Sequence, residues 1–167
     1  MNEIPFRGSA IPPKRSNIIV HRVTTCETQQ FTFVSPSLVG QQIHFAGRSS
    51  ECLAPGTCPG CSAGHPKSWK AYLHAIDQAS KTEIILELTA QACYQIHAQT
   101  GKQPDGAPTN WAGLQVRIRK TKGGPKGRYL IEVLERKIDW PNLPAEKDVL
   151  AILRPLWHAR KFRCDQP

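Results

Sequence analysis

Residues 44–72 read HFAGRSSECLAPGTCPGCSAGHPKSWKAY, and the interpretation of the whole chain starts from this stretch. It carries three of the six cysteines of the protein, with a histidine on either side. These five potential metal ligands are His44, Cys52, Cys58, Cys61 and His65. Glycine, proline and serine dominate the residues between them, and such residues cannot build a hydrophobic core. We therefore expect a bound metal ion to hold the stretch together.

The ligand types and their spacing indicate zinc. Zn²⁺ prefers four cysteine and histidine ligands in a tetrahedron. Cys58 and Cys61 have the two-residue gap of a tight metal-binding turn, and Gly60 permits the backbone angles of such a turn. The fourth ligand is either His44, giving H-x7-C-x5-C-x2-C, or His65, giving C-x5-C-x2-C-x3-H. Four protein ligands close the site, so we expect structural Zn²⁺; the alternative is a disulfide or redox pair, but no neighbouring βαβ pattern supports it.

Composition limits the class of protein. The 167 residues suit one domain, and 22 basic against 13 acidic residues give a formal charge of +9. A chain this basic is expected to face a polyanion, and nucleic acid is favoured over a membrane because no basic amphipathic helix is evident. No apolar leader or membrane-spanning run is found, and clustered cysteines favour a reducing compartment. The prediction is a soluble, cytoplasmic protein with no membrane partner.

The hydrophobic pattern predicts a mainly β protein. Strands are expected at residues 17–24, 29–34, 41–45, 69–76, 83–89, 111–120 and 128–135. A helix is expected at residues 90–99, capped by Thr89 and ended by Gly101. A second helix is expected at residues 145–154, where Pro155 should break or kink it.

The order of these elements predicts a five-stranded OB-fold, a Greek-key barrel, with an inserted zinc loop and a C-terminal helix. Residues 1–16 are interpreted as a flexible basic arm, and residues 17–140 as the OB-fold domain. Within that domain the zinc loop occupies residues 44–69. Residues 141–167 are assigned to the C-terminal helix and a basic tail.

The predicted hairpin at residues 114–128 carries the strongest binding signal. It holds six cations and no acidic residue: Arg117, Arg119, Lys120, Lys122, Lys126 and Arg128. Arg117 and Arg119 share one face of their strand because side chains alternate, and the apolar residues between them face a core. A row of cations suits a phosphate backbone and implies salt-sensitive affinity. The alternative is an ordinary solvated strand face.

Aromatic residues near further cations complete the predicted nucleic-acid surface. Single-strand binders combine a positive groove with aromatic platforms on which bases stack. The candidates are Phe45, Arg48, Lys67, Trp69, Lys70, Tyr72 and Trp111. The alternative is that these aromatic rings pack in the core. No Ser/His/Asp arrangement or phosphate-binding loop is present, so catalysis is not expected.

The zinc-ligand pattern in a basic β protein resembles the zinc-containing single-stranded DNA-binding proteins of tailed phages and mobile elements. Their ligand order is His, Cys, Cys, Cys, which this chain matches, with shorter gaps, at His44, Cys52, Cys58 and Cys61. The resemblance implies an OB-fold that binds single-stranded DNA with little sequence specificity during replication or recombination, and favours His44 over His65. Replication or recombination proteins would be its partners.

The chain departs from this family at its end, where Arg160, Lys161 and Arg163 stand in place of an acidic recruiting tail. The alternative function is a zinc-ribbon adaptor that binds duplex DNA, RNA or a protein partner. A third class is a small metalloenzyme such as a nuclease, which needs a metal with an open coordination position.

Overall fold

Strands dominate the part of the chain that the computed structural model describes, which is residues 18–53, 56–101, 110–122, 127–134 and 142–158. The strands are β1 (Ile19–Arg22), β2 (Thr28–Phe33), β3 (Val39–Phe45), β4 (Ser49–Glu51), β5 (Lys67–Asp77), β6 (Glu83–Thr89), β7 (Gln115–Lys120) and β8 (Tyr129–Leu134). The helices are α1 (Pro59–Ser62), α2 (Ala90–Thr100) and α3 (Val149–His158). The predicted mainly β class is confirmed. The predicted arm at residues 1–16 lies outside the described residues.

The strands form one mixed sheet rather than the predicted five-stranded barrel, and this sheet is not closed. Its order is β1-β6-β5-β2-β7-β8, with β3 and β4 attached beside β5. β1 runs parallel to β6, and the other pairings are antiparallel. The additional strand count has a physical cause: β5 has 11 residues, so one of its edges pairs first with β3 and then with β2. We call residues 39–66, which contain β3, β4 and α1, the arm.

The sheet is buried on both faces, because cores form above and below β6. Ile84, Leu86 and Leu88 enter the larger core, together with α2 and side chains from β2, β5, β7 and β8. Ile85 points to the opposite face and enters a smaller core beneath α3. The alternation of β6 was predicted from sequence as that of a half-buried strand, but α3 covers its second face.

Helix α2 begins and ends where the sequence predicts, within one residue. The Thr89 hydroxyl accepts a hydrogen bond from the amide of Ala92 at 3.3 Å, and Gly101 follows the last turn with a φ of 67°. Ala92, Cys93 and Ile96 are buried against the larger core. Cys93 is therefore a core residue and lies apart from the cysteine cluster.

The same helix covers the outer edge of β8. The Gln95 side-chain amide donates to the carbonyl of Tyr129 at 2.9 Å, and that of Gln99 donates to the carbonyl of Ile131 at 2.8 Å. The Gln99 amide oxygen accepts from the amide of Val133 at 2.9 Å. Two glutamines thus occupy the backbone groups that a neighbouring strand would otherwise bind.

Helix α3 begins four residues later than predicted and continues through Pro155. Its start is set by Asp148, whose carboxylate accepts a hydrogen bond from the amide of Ala151 at 3.0 Å. Leu153 and Trp157 are both buried in the smaller core, which favours the extra turn despite the hydrogen bond that proline removes. Of the helices that the structure describes, none has the length and apolar character that crossing a bilayer requires.

Candidate metal centre and groove

Four side chains of the arm converge on one point. The ligand atoms of His44, Cys52, Cys58 and Cys61 all lie within 4.8 Å of one another. The Cys52 and Cys61 sulfurs are 3.7 Å apart, and the Cys61 sulfur lies 3.5 Å from His44 Nε2. Usual zinc bond lengths in a tetrahedron place two sulfurs about 3.8 Å apart, and a sulfur and a nitrogen about 3.6 Å apart. The cluster can therefore hold a metal ion such as zinc without rearrangement.

Local backbone structure brings these ligands together. His44 lies near the end of β3, and β4 returns antiparallel so that Cys52 follows it directly. Cys58 stands at the N-cap position of α1, and Cys61 lies inside this single turn. The closeness of α1 to His44 requires a glycine: a Cβ at Gly60 would approach the imidazole ring to 2.7 Å.

The orientation of His44 is set by a hydrogen bond from its other ring nitrogen. His44 is 1% exposed, and its Nδ1 donates to the backbone carbonyl of His65 at 3.0 Å. This bond fixes the tautomer that leaves Nε2 unprotonated and facing the cysteines, as metal-binding histidines require. Within the described residues the converging histidine is therefore His44, and His65 contributes its carbonyl rather than its ring.

The cluster also lowers the cost of forming a thiolate. Backbone hydrogen bonds from the turn of α1, that to Cys61 foremost, lower the pKa of the Cys58 thiol to about 6. Burial and the two neighbouring thiols raise the pKa of Cys52 to about 11. Cys58 is thus the thiolate that a metal ion would meet first at neutral pH. The Lys67 ammonium interacts with Cys61, and this hydrogen bond raises the pKa of Lys67.

A groove of about 430 Å³ lies between the arm and the end of the β7–β8 hairpin. Its lining comes from five strands of the sheet, from the arm and from the segment after β1. The lining residues are Arg22, Val23, Ile43, Phe45, Ser49, Ser68, Lys70, Glu87, Lys120 and Tyr129. Phe45 is 57% exposed, so a large aromatic ring is accessible beside three cations.

One buried carboxylate organises the cations of the groove. Glu87 accepts from Arg22 Nε at 3.1 Å, pairs with Lys70 Nζ at 3.5 Å, and accepts from the Tyr72 hydroxyl at 3.3 Å. Arg22 also donates to the Ser49 hydroxyl at 2.9 Å, which ties the sheet to the arm. Three cations share the groove with this one carboxylate, and the lining keeps a positive charge.

A smaller cleft of about 190 Å³ continues the groove toward α3. It shares Arg22, Ser49 and Glu87 with the groove and adds Arg48 and Leu156. The two clefts together form a cationic path from Lys120 to the surface of α3.

The structure divides the predicted nucleic-acid residues among several surfaces. Phe45, Lys70 and Lys120 line the groove, and Arg48 lines its continuation. Lys67 lies beside the metal cluster. Trp69 lines a different cleft, although Ser68 and Lys70 line the groove, because successive side chains of a strand point to opposite faces.

The cation row of the hairpin lies away from the groove. Arg117 and Arg119 are exposed on the outer face of β7, where Arg117 pairs with Glu132 at 3.4 Å. Their alternation against buried Val116 and Ile118 matches the prediction. However, Lys120 has the opposite parity and alone of these three reaches the groove. Lys122 and Arg128 are exposed beyond the strand ends, and Lys126 lies outside the described residues.

Two of the predicted stacking residues are instead core residues. Tyr72 is 1% exposed and packs edge-on against Trp157 with ring centroids 5.5 Å apart. Trp111 is 7% exposed and stacks on Phe33 with ring centroids 5.8 Å apart. Neither ring has a free face, so the prediction that these two stack on bases is corrected.

Arg22 and Tyr129 are groove residues that the sequence interpretation missed. Arg22 was read only as one position in a predicted strand, and Tyr129 as part of a hairpin strand. Tyr129 is 8% exposed, and Lys120 Nζ lies 5.8 Å above its ring. The cation that ends each of β1 and β7 was the available signal, because strand ends are where a basic side chain can leave the core and reach solvent.

The metal cluster and the groove share the arm as a common wall. Phe45 follows the ligand His44 directly in β3, so whatever orients His44 also orients the groove aromatic. Comparisons with protein-family models, with curated proteins and with solved structures find no match to this chain.

Proposed function

We propose that this protein binds single-stranded DNA in the groove, with little sequence preference, and that a structural zinc ion holds the arm as one wall of the groove. The observation that carries the proposal is the convergence of Arg22, Lys70 and Lys120 with the exposed ring of Phe45 in one groove. Cations that hold phosphates beside an aromatic platform are the combination by which proteins bind unpaired strands.

The shape of the groove favours a single strand over a duplex. A groove of about 430 Å³ admits one or a few nucleotides, whereas the bases of a duplex are stacked inside and cannot reach Phe45. Non-specific recognition also fits the lining, because phosphate contacts and stacking carry little sequence information. The proposed setting is replication or recombination in a phage or mobile element, as the family resemblance implies.

Zinc is proposed to act as a staple for the arm. The four ligands leave no coordination position for a substrate, so the metal would join β3, β4 and α1 rather than catalyse a reaction. The same proposal includes an OB-type ancestry for the sheet. A bridge between Thr25 and Lys120 brings the segment after β1 to the end of β7, which suits a partly open barrel.

The test is fluorescence anisotropy with labelled oligo-dT and with a duplex of equal length. We expect tighter binding to oligo-dT, and we expect Phe45→Ala to weaken it roughly 5- to 150-fold, since stacking is worth about 1–3 kcal/mol per base. Leu130→Ala is the matched control, because Leu130 is 54% exposed and lies on the outer face of the hairpin.

Other outcomes would separate the alternatives. Equal affinity for duplex and oligo-dT would favour the zinc-ribbon adaptor, and cleavage of DNA with added Mg²⁺ or Zn²⁺ would favour a metalloenzyme. Binding that Phe45→Ala leaves unchanged would place the nucleic acid outside the groove and overturn the proposal.

A further inference from the structure

A second aromatic cleft lies on the opposite face of β5, between the arm and α2. Its volume is about 490 Å³, and its lining consists of Gln42, Trp69, Ala90, Cys93 and Tyr94. Trp69 is 37% exposed and Tyr94 is 74% exposed. Two large aromatic side chains at one open cleft are unusual on a surface unless they contact a ligand.

The Trp69 ring is held flat against the sheet. Its indole lies over Gly40 of the adjacent strand β3, where an added Cβ would stand 2.6 Å from the Trp69 Cζ2 atom. A glycine at this position therefore makes room for the ring. One side of the indole rests on the backbone, and the exposed part is presented to the cleft. The ring is thus positioned as a platform before any ligand arrives.

The second cleft is directly continuous with the groove across one strand edge. Ser68 and Lys70 line the groove, and Trp69 between them lines the second cleft. The pairing of β5 with β6 begins only at Lys70 and Thr89, after which the chain turns into α2. In the described part of the chain, residues 67–69 of β5 therefore have a strand partner on the β3 side alone.

We infer that the cleft is a second base-stacking site for the same single strand, an inference that rests on the proposed function. A strand leaving the groove at Lys70 crosses the uncovered edge of β5 and places a nucleobase on Trp69 and Tyr94. The Gln42 side-chain amide can donate to and accept from a base edge. Stacking is sequence-tolerant, so the site lengthens the bound stretch without adding sequence specificity.

The inference predicts that the contribution of Trp69 depends on oligonucleotide length. A trinucleotide fills the groove alone, whereas a 12-mer reaches both faces of β5; sites of about 4–16 nucleotides are usual for a single-strand-binding module of this kind. An aromatic cleft is also suited to a proline-rich peptide, but that occupant would not need the continuity with a cationic groove.

The experiment measures affinities of the full chain for labelled dT3 and dT12 by anisotropy, with the variants Trp69→Ala, Tyr94→Ala and Phe45→Ala. We expect Phe45→Ala to weaken both complexes. We expect Trp69→Ala and Tyr94→Ala to weaken only the dT12 complex, by roughly 5- to 150-fold each for the loss of one stacked base. Trp69→Phe should restore most of the affinity, and Leu130→Ala should change neither complex.

A second readout follows the indole itself. Binding of dT12, but not of dT3, should quench the fluorescence that the wild type has and Trp69→Phe lacks. The inference is overturned, and the proposed function kept, if Phe45→Ala weakens binding while Trp69→Ala and the indole signal respond to neither oligonucleotide. Competition for that signal by a proline-rich peptide alone would assign the cleft to a protein partner, and failure of the wild type to bind either oligonucleotide would refute both proposals.

Discussion

Two neighbouring residues of β7, Lys120 and Arg119, offer the sharpest test of where the nucleic acid lies. Four cations line the groove and its continuation, and Glu87 offsets one of them, which leaves a net of three positive charges. At about 0.7 per phosphate contact for single strands, the slope of log K against log salt should be about −2.1. Raising salt from about 50 to 200 mM should then weaken binding roughly 20-fold.

Neutralising Lys120 removes one of these contacts. Lys120→Gln should change the slope to about −1.4, so that the same rise in salt weakens binding only roughly 7-fold. Arg119→Gln removes an equal charge one residue away, but its side chain is on the outer face of β7 and should leave the slope near −2.1. Anisotropy titrations of oligo-dT at four salt concentrations measure both slopes. A larger change for Arg119→Gln than for Lys120→Gln would refute the assignment of the groove and restore the outer face as the binding surface.

Three further predictions concern the cluster, the core and the C-terminal segment. His44→Gln should lose the zinc that elemental analysis finds in the wild type, whereas His65→Gln should retain it because only the His65 carbonyl is used. Trp111→Ala should lower the free energy of unfolding by about 3–5 kcal/mol in urea titrations, whereas Trp69→Ala should change it by no more than about 0.5 kcal/mol. Burial lowers the pKa of His74 below 6.5, so the unfolded chain binds the proton first and stability should fall as pH drops below that value; thermal unfolding against pH should show a weaker fall for His74→Gln, and an identical fall would contradict the assignment to His74.

The metal cluster could be predicted from sequence because most of its information is local. Three cysteines and a histidine within 18 residues already limit how the backbone can bring them together. The choice between His44 and His65 could not be made from spacing, since both gaps are feasible. It depends on the return of β4 along β3 and on a hydrogen bond between the two histidines.

The groove could not be predicted because its residues meet only through the sheet topology. Arg22 and Glu87 are 65 residues apart and become neighbours through the parallel pairing of β1 with β6. Alternation correctly separated Arg117 and Arg119 from the core residues of β7. It could not show that the outer face carrying them is remote from Phe45, because that depends on the order of six strands.

Residue type alone also failed to separate buried from exposed aromatic rings. Tyr72 lies on a face of β5 that would be open without α3, and the start of α3 is set by Asp148 rather than by the expected Pro144. Burial of Tyr72 thus depends on a helix that is distant in sequence. Trp69 is three residues away on the other face, where no helix covers its ring.

The two glutamines that α2 presents to β8 limit how copies of this protein can associate. Residues four apart on a helix rise by about 6 Å, and alternate residues of a strand are separated by about 6.8 Å, so one pair of amides spans the outward-facing groups of the strand. An uncharged amide both donates and accepts, and a lysine or glutamate at either position would leave half of those groups unmatched. A second molecule therefore cannot extend the sheet at this edge without first displacing the helix, so filaments built by strand addition are disfavoured there.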